Sequence, residues 1–216
     1  MRALENNLQS CTVLQRIGIG ILPVDIIKDN SVIRIIMTQG KIEISPQITD
    51  ENRHNILCAL NLADPDLDER CPIQIVSTGH SKVMVGIKSR EILNSLVPDF
   101  TQLVNISRKV GSNGFFVFTL DSDDNDILTH GRMFAPAIGI TEDPVTGNGH
   151  GPLGVYLVHH NILKTSEGSV TFNGRQGEAI KRPGVVTVTV AVEDGKPFKV
   201  QVGGHAVVAF KTEIEI

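Results

Sequence analysis

The chain has 216 residues, 41% of them hydrophobic and 20% charged, with a formal net charge of -4. That balance is enough to bury a core in one large domain or two small ones. The excess of acid, with no run of Lys or Arg longer than a pair, leaves nucleic acid and anionic membrane surfaces without an electrostatic grip. Trp is absent and Tyr occurs once, which argues against sites built on stacking.

The three cysteines, Cys11, Cys58 and Cys71, show neither zinc-site pairing nor a secreted disulfide framework and are expected to be reduced, buried thiols. No signal-peptide core opens the chain and no apolar run is long enough to span a bilayer, so the expected location is the cytoplasm.

In chain order, alternating apolar residues predict three strands over 13–19, 24–29 and 32–38, broken by Gly20, Pro23 and the Asp29-Asn30 turn. Thr49 opens a helix whose apolar positions are Ile56, Leu57, Leu60 and His54, and Asp64-Pro65 is expected to stop it. Segments 72–78 and 82–88 read as a hairpin around Gly79-His80-Ser81. A polar stretch with Pro98 leads to a helix over 99–110, ended by Gly111, and then a strand over 114–120.

The acidic run 121–126 lacks the Gly and Glu of a calcium loop and reads as a solvated turn. Residues 132–136 precede the unusual segment GITEDPVTGNGHG, after which 152–163 read as one buried helix that Pro152 helps to start. The tail is strand-rich at 169–174, 177–180, 185–192, 198–202 and 205–210, with turns at Gly174, Pro183-Gly184 and Asp194-Gly195. Short strands wrapped around one very apolar helix is the expected architecture.

Chemistry concentrates at 143–149. Backbone N–H groups of Gly147, Asn148 and Gly149 are candidates for the unpaired donors of a helix N-terminus, a site for a carboxylate or enolate. Asp143, held between Glu142 and Pro144, lies at the mouth of the same turn, where it could exchange a proton. The same letters also fit an ordinary turn that lets a buried helix start tightly. A dinucleotide site is rejected: Gly149, Gly151 and Gly154 match the fingerprint by letter, but TEDPVT reads as no strand, Pro152 interrupts it and no βαβ unit surrounds it. His159 and His160 read as mid-helix packing or surface residues, and His54 likewise. Gly79-His80, in a tight loop of a rigid hairpin, is a candidate for substrate contact beside the reading as a plain hairpin.

RMFAPAIGITEDPVTGNGHGPLGVYL closely resembles the signature of PhzF-like proteins, with its R-x-F-x-P element, its EDPxTG and the small residue that opens a central helix. The likeness continues at IQIVSTGHSKVMV, SRKVGSNGFFVF, NGRQGEAIKRPG and GGHAVVAF, and the YddE-type subgroup is the most similar. The resemblance implies an α+β, diaminopimelate epimerase-like fold of two similar halves, each a mixed β-sheet curled around a central helix, with the active site where the two helix N-termini face each other. It implies a cofactor-independent isomerase or epimerase that moves a proton on a small carboxylate-bearing metabolite. Asp143 takes the place of the active-site aspartate, Gly147 and Asn148 supply backbone donors, and Thr146 lies near the position of a catalytic thiol in the related epimerase. Many relatives carry Ser at Asn148, and Gly149-His150 also departs from the commoner pattern. No cysteine lies in the segment, which excludes a two-thiol mechanism.

The resemblance also implies an absence. The family's opening strand, its glutamate in an S-E-T setting and its CGHA motif have no counterpart, and RALENNLQSCTVLQ matches the stretch after the first central helix, so about eighty residues are expected to be missing from the front. Gly204-His205-Ala206 imitates CGHA by letter but falls in the last strand. Residues 1–38 are accordingly expected to be the remnant of a partial first lobe, 39–210 a complete second lobe and 211–216 a tail. The expected activity is impaired, with self-association or a homodimer through uncovered strands. The alternatives are a non-catalytic small-anion-binding or scaffold protein and one half of a split enzyme.

Overall fold

The computed structural model describes residues 8–18, 20–30, 32–165, 168–207, 209–210 and 212–213. The expected tail at 211–216 and the first seven residues of the expected remnant thus lie largely outside the described residues. Twelve strands form one sheet in the order β1-β2-β3-β12-β11-β10-β8-β7-β6-β5-β4, with β9 paired separately to β8. They are β1 Ser10–Ile17, β2 Gly20–Asp29, β3 Val32–Thr38, β4 Ile42–Gln47, β5 Gln74–Thr78, β6 Ser81–Ile87, β7 Phe115–Thr119, β8 Thr129–Ala135, β9 Ile140–Asp143, β10 Ser169–Gln176, β11 Gly184–Glu193 and β12 Lys196–Ala206. The pairs β6/β7 and β8/β10 are parallel and the rest antiparallel, a mixed sheet.

The sheet curls around a central helix. The link between β3 and β4 stitches its two limbs together, since Gln39 N donates to Val200 O (2.9 Å) and Gly40 N to Thr78 O (2.8 Å). Inside lies α4, Gly147–His159, in which every residue from Gly149 to Val158 is buried. The helix is apolar on all sides because sheet surrounds it on all sides. Leu153, Tyr156 and Leu157 are fully enclosed, each such apolar side chain contributing roughly 1.5–3 kcal/mol. Among the described residues no helix is long and apolar enough to cross a membrane.

Three helices cover the outside of one limb: α1 Asp50–Leu60, α2 Arg90–Ser95 and α3 Phe100–Val110. Strand alternation sorts the side chains: Val83, Val85, Phe115 and Val117 face these helices, whereas Met84, Phe116 and Phe118 face α4. Asp99 caps α3 by accepting from Gln102 N at 3.0 Å, and Gly111 ends it in the left-handed region, as expected.

Other expectations need correction. Asn61, left-handed at φ 56°, ends α1 before Asp64-Pro65, which forms a separate 3-10 turn. Strand β4 and helix α2 had no periodic signal long enough to read. Pro23 lies inside β2 rather than breaking it. Residues 141–143 are strand, in β9, although the pairing to β8 is antiparallel and no βαβ unit results. Helix α4 begins a turn before Pro152, which sits inside it. Segment 177–180 is turn, and β12 runs unbroken through 198–206, taking in the start of the strand expected at 205–210. His159 and His160 end α4 instead of lying within it, and His54 points outward. Of the cysteines, Cys71 is buried, Cys11 half-buried and Cys58 exposed, so burial holds for one.

Candidate active site

The functional candidates converge where three elements end. Strands β10 and β9 share one edge of β8: Gln176 pairs opposite Gly131 and Asp143 opposite Met133, so the two strands meet nearly end to end. Between Asp143 and α4 the chain has three residues, Pro144, Val145 and Thr146, and the turn they make faces the end of β10.

Glu142 and Asp143 are sequence neighbours with different fates. Arg132 grips the Glu142 carboxylate with two bonds, Nε at 2.9 Å and Nη2 at 2.7 Å, while its Nη1 donates to Leu93 O and Leu96 O. Both side chains of this pair are about nine-tenths buried. The R-x-F element and the first acid of EDP thus form a structural clamp in which Asp143 takes no part.

Thr146 is the N-cap of α4, but its hydroxyl does not cap the helix. It donates instead to Asp143 Oδ2 at 2.5 Å. Gly149 N turns back to Thr146 O (3.0 Å), so of the three expected backbone donors only those of Gly147 and Asn148 have no acceptor among the described residues. These two residues line a cavity of about 670 Å³ with Ile35, Met37, Gln39, Val202 and His205. Gly149 lies behind them, buried; an added Cβ would stand 2.5 Å from the Phe116 ring. No carboxylate lines this cavity among the described residues; Asp143 is three residues before Thr146, in the turn that leads to it.

Gly79 and His80 do occupy the loop between β5 and β6, with Gly79 at φ 112°, but His80 is exposed and does not line the cavity. The loop reaches the site indirectly: Thr78 Oγ1 donates to Gln39 Oε1 at 2.7 Å, and Gln39 Nε2 donates to Asn148 Oδ1 at 3.3 Å. Gln39 gave no motif in the sequence. Nor did Gln176, now buried beneath the turn and bonded to both Asp143 and Thr146. A Gln at a strand end carries no pattern; only the end-to-end meeting of β9 and β10 gives it a partner.

His150 closes the site from behind. It is fully buried, its Nδ1 donates to Thr146 O at 3.0 Å, and its ring packs edge-on against Phe116. Burial pushes its pKa down to about 4, opposed only in part by the Thr146 carbonyl, so the imidazole is neutral. Elsewhere, Ser122, His130 and Glu178 line up through contacts of 3.2 and 2.6 Å. His130 is wholly buried and Ser122 Oγ is also engaged by the Asp124 backbone, so this line ties the acidic loop 121–126 to β8 and the turn after β10. That loop is largely exposed, as expected, and carries surface ion pairs from Asp123 to Arg90 and from Asp124 to Arg175.

Comparison with known proteins adds to this geometry. The model of the phenazine biosynthesis-like protein family matches residues 1–212. An uncharacterised isomerase from Clostridium acetobutylicum is 53% identical over 213 residues, covering 99% of this chain and 70% of that protein. The uncharacterised isomerase YddE of Escherichia coli K12 is 43% identical over 213 residues, covering 99% of this chain and 71% of that protein. The crystal structure of a Bacillus anthracis phenazine biosynthesis protein of the PhzF family superimposes with a TM-score of 0.79 at 23% identity, over 96% of this chain and 73% of that one. The curled mixed sheet, the EDPVTG turn and these likenesses agree: the chain belongs to the phenazine biosynthesis-like, or PhzF, family.

Proposed function

We propose that the protein is a cofactor-independent isomerase that moves a proton on a carbon of a small carboxylate-bearing metabolite. The observation that carries this reading is Asp143 bonded by the Thr146 hydroxyl at 2.5 Å, beside a helix N-terminus whose first two residues, Gly147 and Asn148, line an open cavity. The substrate carboxylate, or the enolate formed from it, sits against Gly147 and Asn148 N–H, where the helix dipole favours negative charge. Asp143 exchanges the proton. Gln39 and Thr78 hold Asn148, which gives the Gly79-His80 loop an indirect hand in substrate binding.

Proton transfer across a carbon needs a donor and an acceptor placed around it in a site closed to water. The cavity lining itself carries no carboxylate among the described residues, so Asp143, in the turn beside it, is the one acid this reading supplies. We therefore propose that the second proton-transfer group is one not found in the described cavity lining, and expect slow turnover by this chain alone. The same observation favours, as a second reading, a site that binds small anions without turnover, or one completed by a separate chain.

The test is deuterium uptake from D2O into a panel of amino, hydroxy and dihydroaromatic carboxylates. Slow incorporation that Asp143→Asn reduces at least a hundredfold supports the reading. Fast turnover unaffected by Asp143→Asn refutes it, and millimolar binding without incorporation favours the second reading.

A further inference from the structure

We propose that Gln176 is a positioning residue that fixes the direction of the Thr146 hydroxyl and, through it, decides which oxygen of Asp143 is available to the substrate; this rests on the reading of Asp143 as the proton-transfer group. Gln176 ends β10 and is 1% exposed. All three hydrogen bonds of its side chain go to the turn between Asp143 and Thr146: Oε1 accepts from Thr146 N at 3.1 Å, and Nε2 donates to Asp143 O at 2.6 Å and to Thr146 Oγ1 at 3.1 Å.

The polarity of this arrangement follows from two backbone groups. Thr146 N–H can only donate, so the atom facing it is the carboxamide oxygen. Asp143 O can only accept, so the atom facing it is the NH2 group. The second N–H of that group then points at Thr146 Oγ1, which must accept it. A hydroxyl has a single proton, and with Oγ1 accepting from Gln176 that proton goes to Asp143 Oδ2, at the 2.5 Å of a charge-assisted bond. Oδ2 is thereby held as an acceptor, and Oδ1 is the oxygen left to exchange a proton with the substrate.

The position is built to be rigid. Gly177, at φ 90°, brings the end of β10 so close to the turn that an added Cβ would lie 2.6 Å from Pro144 O. Only glycine allows that approach.

The test follows the Thr146 hydroxyl proton by NMR in the free protein. In the unaltered chain it should give a resolved signal that exchanges slowly with water. Gln176→Leu removes all three bonds, and Gln176→Glu keeps the size and an acceptor for Thr146 N but, ionised, has no proton to donate. Both should speed exchange of the hydroxyl at least tenfold, whereas Thr146→Ser should preserve the signal and Thr146→Val abolish it. A slowly exchanging hydroxyl retained in both Gln176 variants overturns the proposal. Should either variant unfold, the other, checked by its melting curve, still decides the matter. In the deuterium assay Gln176→Leu should lower kcat at least tenfold with KM within twofold. If Asp143→Asn leaves incorporation intact, the reading of Asp143 fails while the hydroxyl result stands; if Asp143→Asn abolishes it and Gln176→Leu leaves kcat unchanged, the positioning role alone fails.

Discussion

The two limbs of the sheet are both apolar and have different surroundings. Strands β6 to β8 are covered on one face by α4 and on the other by α1, α2 and α3, and every residue of β7 and β8 is buried. Strands β1 to β3 are richer in Ile and Val, yet Leu14, Ile21 and Val32 are exposed at 69%, 55% and 47%. Apolar character qualifies a strand for burial, but only a covering layer buries it. The candidate site lies where the covered limb, the helix N-terminus and the open cavity meet.

The largest expected difference is in the core. Phe116 touches Gly131, Gly149 and the His150 ring, so Phe116→Ala should cost about 3–5 kcal/mol, while Ile21→Ala on the uncovered limb should stay within about 0.5 kcal/mol. Urea unfolding of both variants measures this, and equal losses would break the comparison.

Next comes the pH dependence of the covered limb. His150 titrates near 4 when folded and near 6.5 when unfolded, so between these values the unfolded chain binds the extra proton. Stability should fall as pH drops from 6.5, by about 1.4 kcal/mol per unit and about 3 kcal/mol in all, while being fully present above 6.5. His150→Leu should flatten that slope in a series of melts between pH 4 and 7.

Lys82 gives a comparable effect at alkaline pH. Lys82 is 4% exposed and its ammonium donates to Ser81 O and Asn113 Oδ1, and burial pushes its pKa down to about 8 from 10.5. The unfolded chain holds the proton more tightly, so stability should rise with pH between 8 and 10.5, by about 3 kcal/mol. Lys82→Met should remove the rise and stabilise the protein below pH 8, as read by melting temperature. Smallest in folding energy is Leu14→Lys, expected within about 0.5 kcal/mol, yet it should reduce self-association through β1 in sedimentation if the uncovered limb is where copies meet.

Much of this was legible in the sequence. The segment 152–158 is apolar on every side, which fits only a helix surrounded by other elements, and Asp99 with Gly111 bracketed α3 through local chemistry. EDPVTG followed by small residues pointed to a helix N-terminus beside an acid, as local spacing can. What local spacing could not supply was partners. Glu142 and Asp143 are equivalent by letter until Arg132 takes one of them, ten residues away.

The sequence by itself determined the family, the central helix and the position of the Asp143 turn, because each depends on residues close together in the chain. Tertiary structure alone decided that Gln176 meets Thr146, that Gln39 bridges Thr78 to Asn148 and that His150 is neutral. Those outcomes depend on which strand ends share an edge and on how completely water is excluded, and both are set by the closure of the whole sheet around α4.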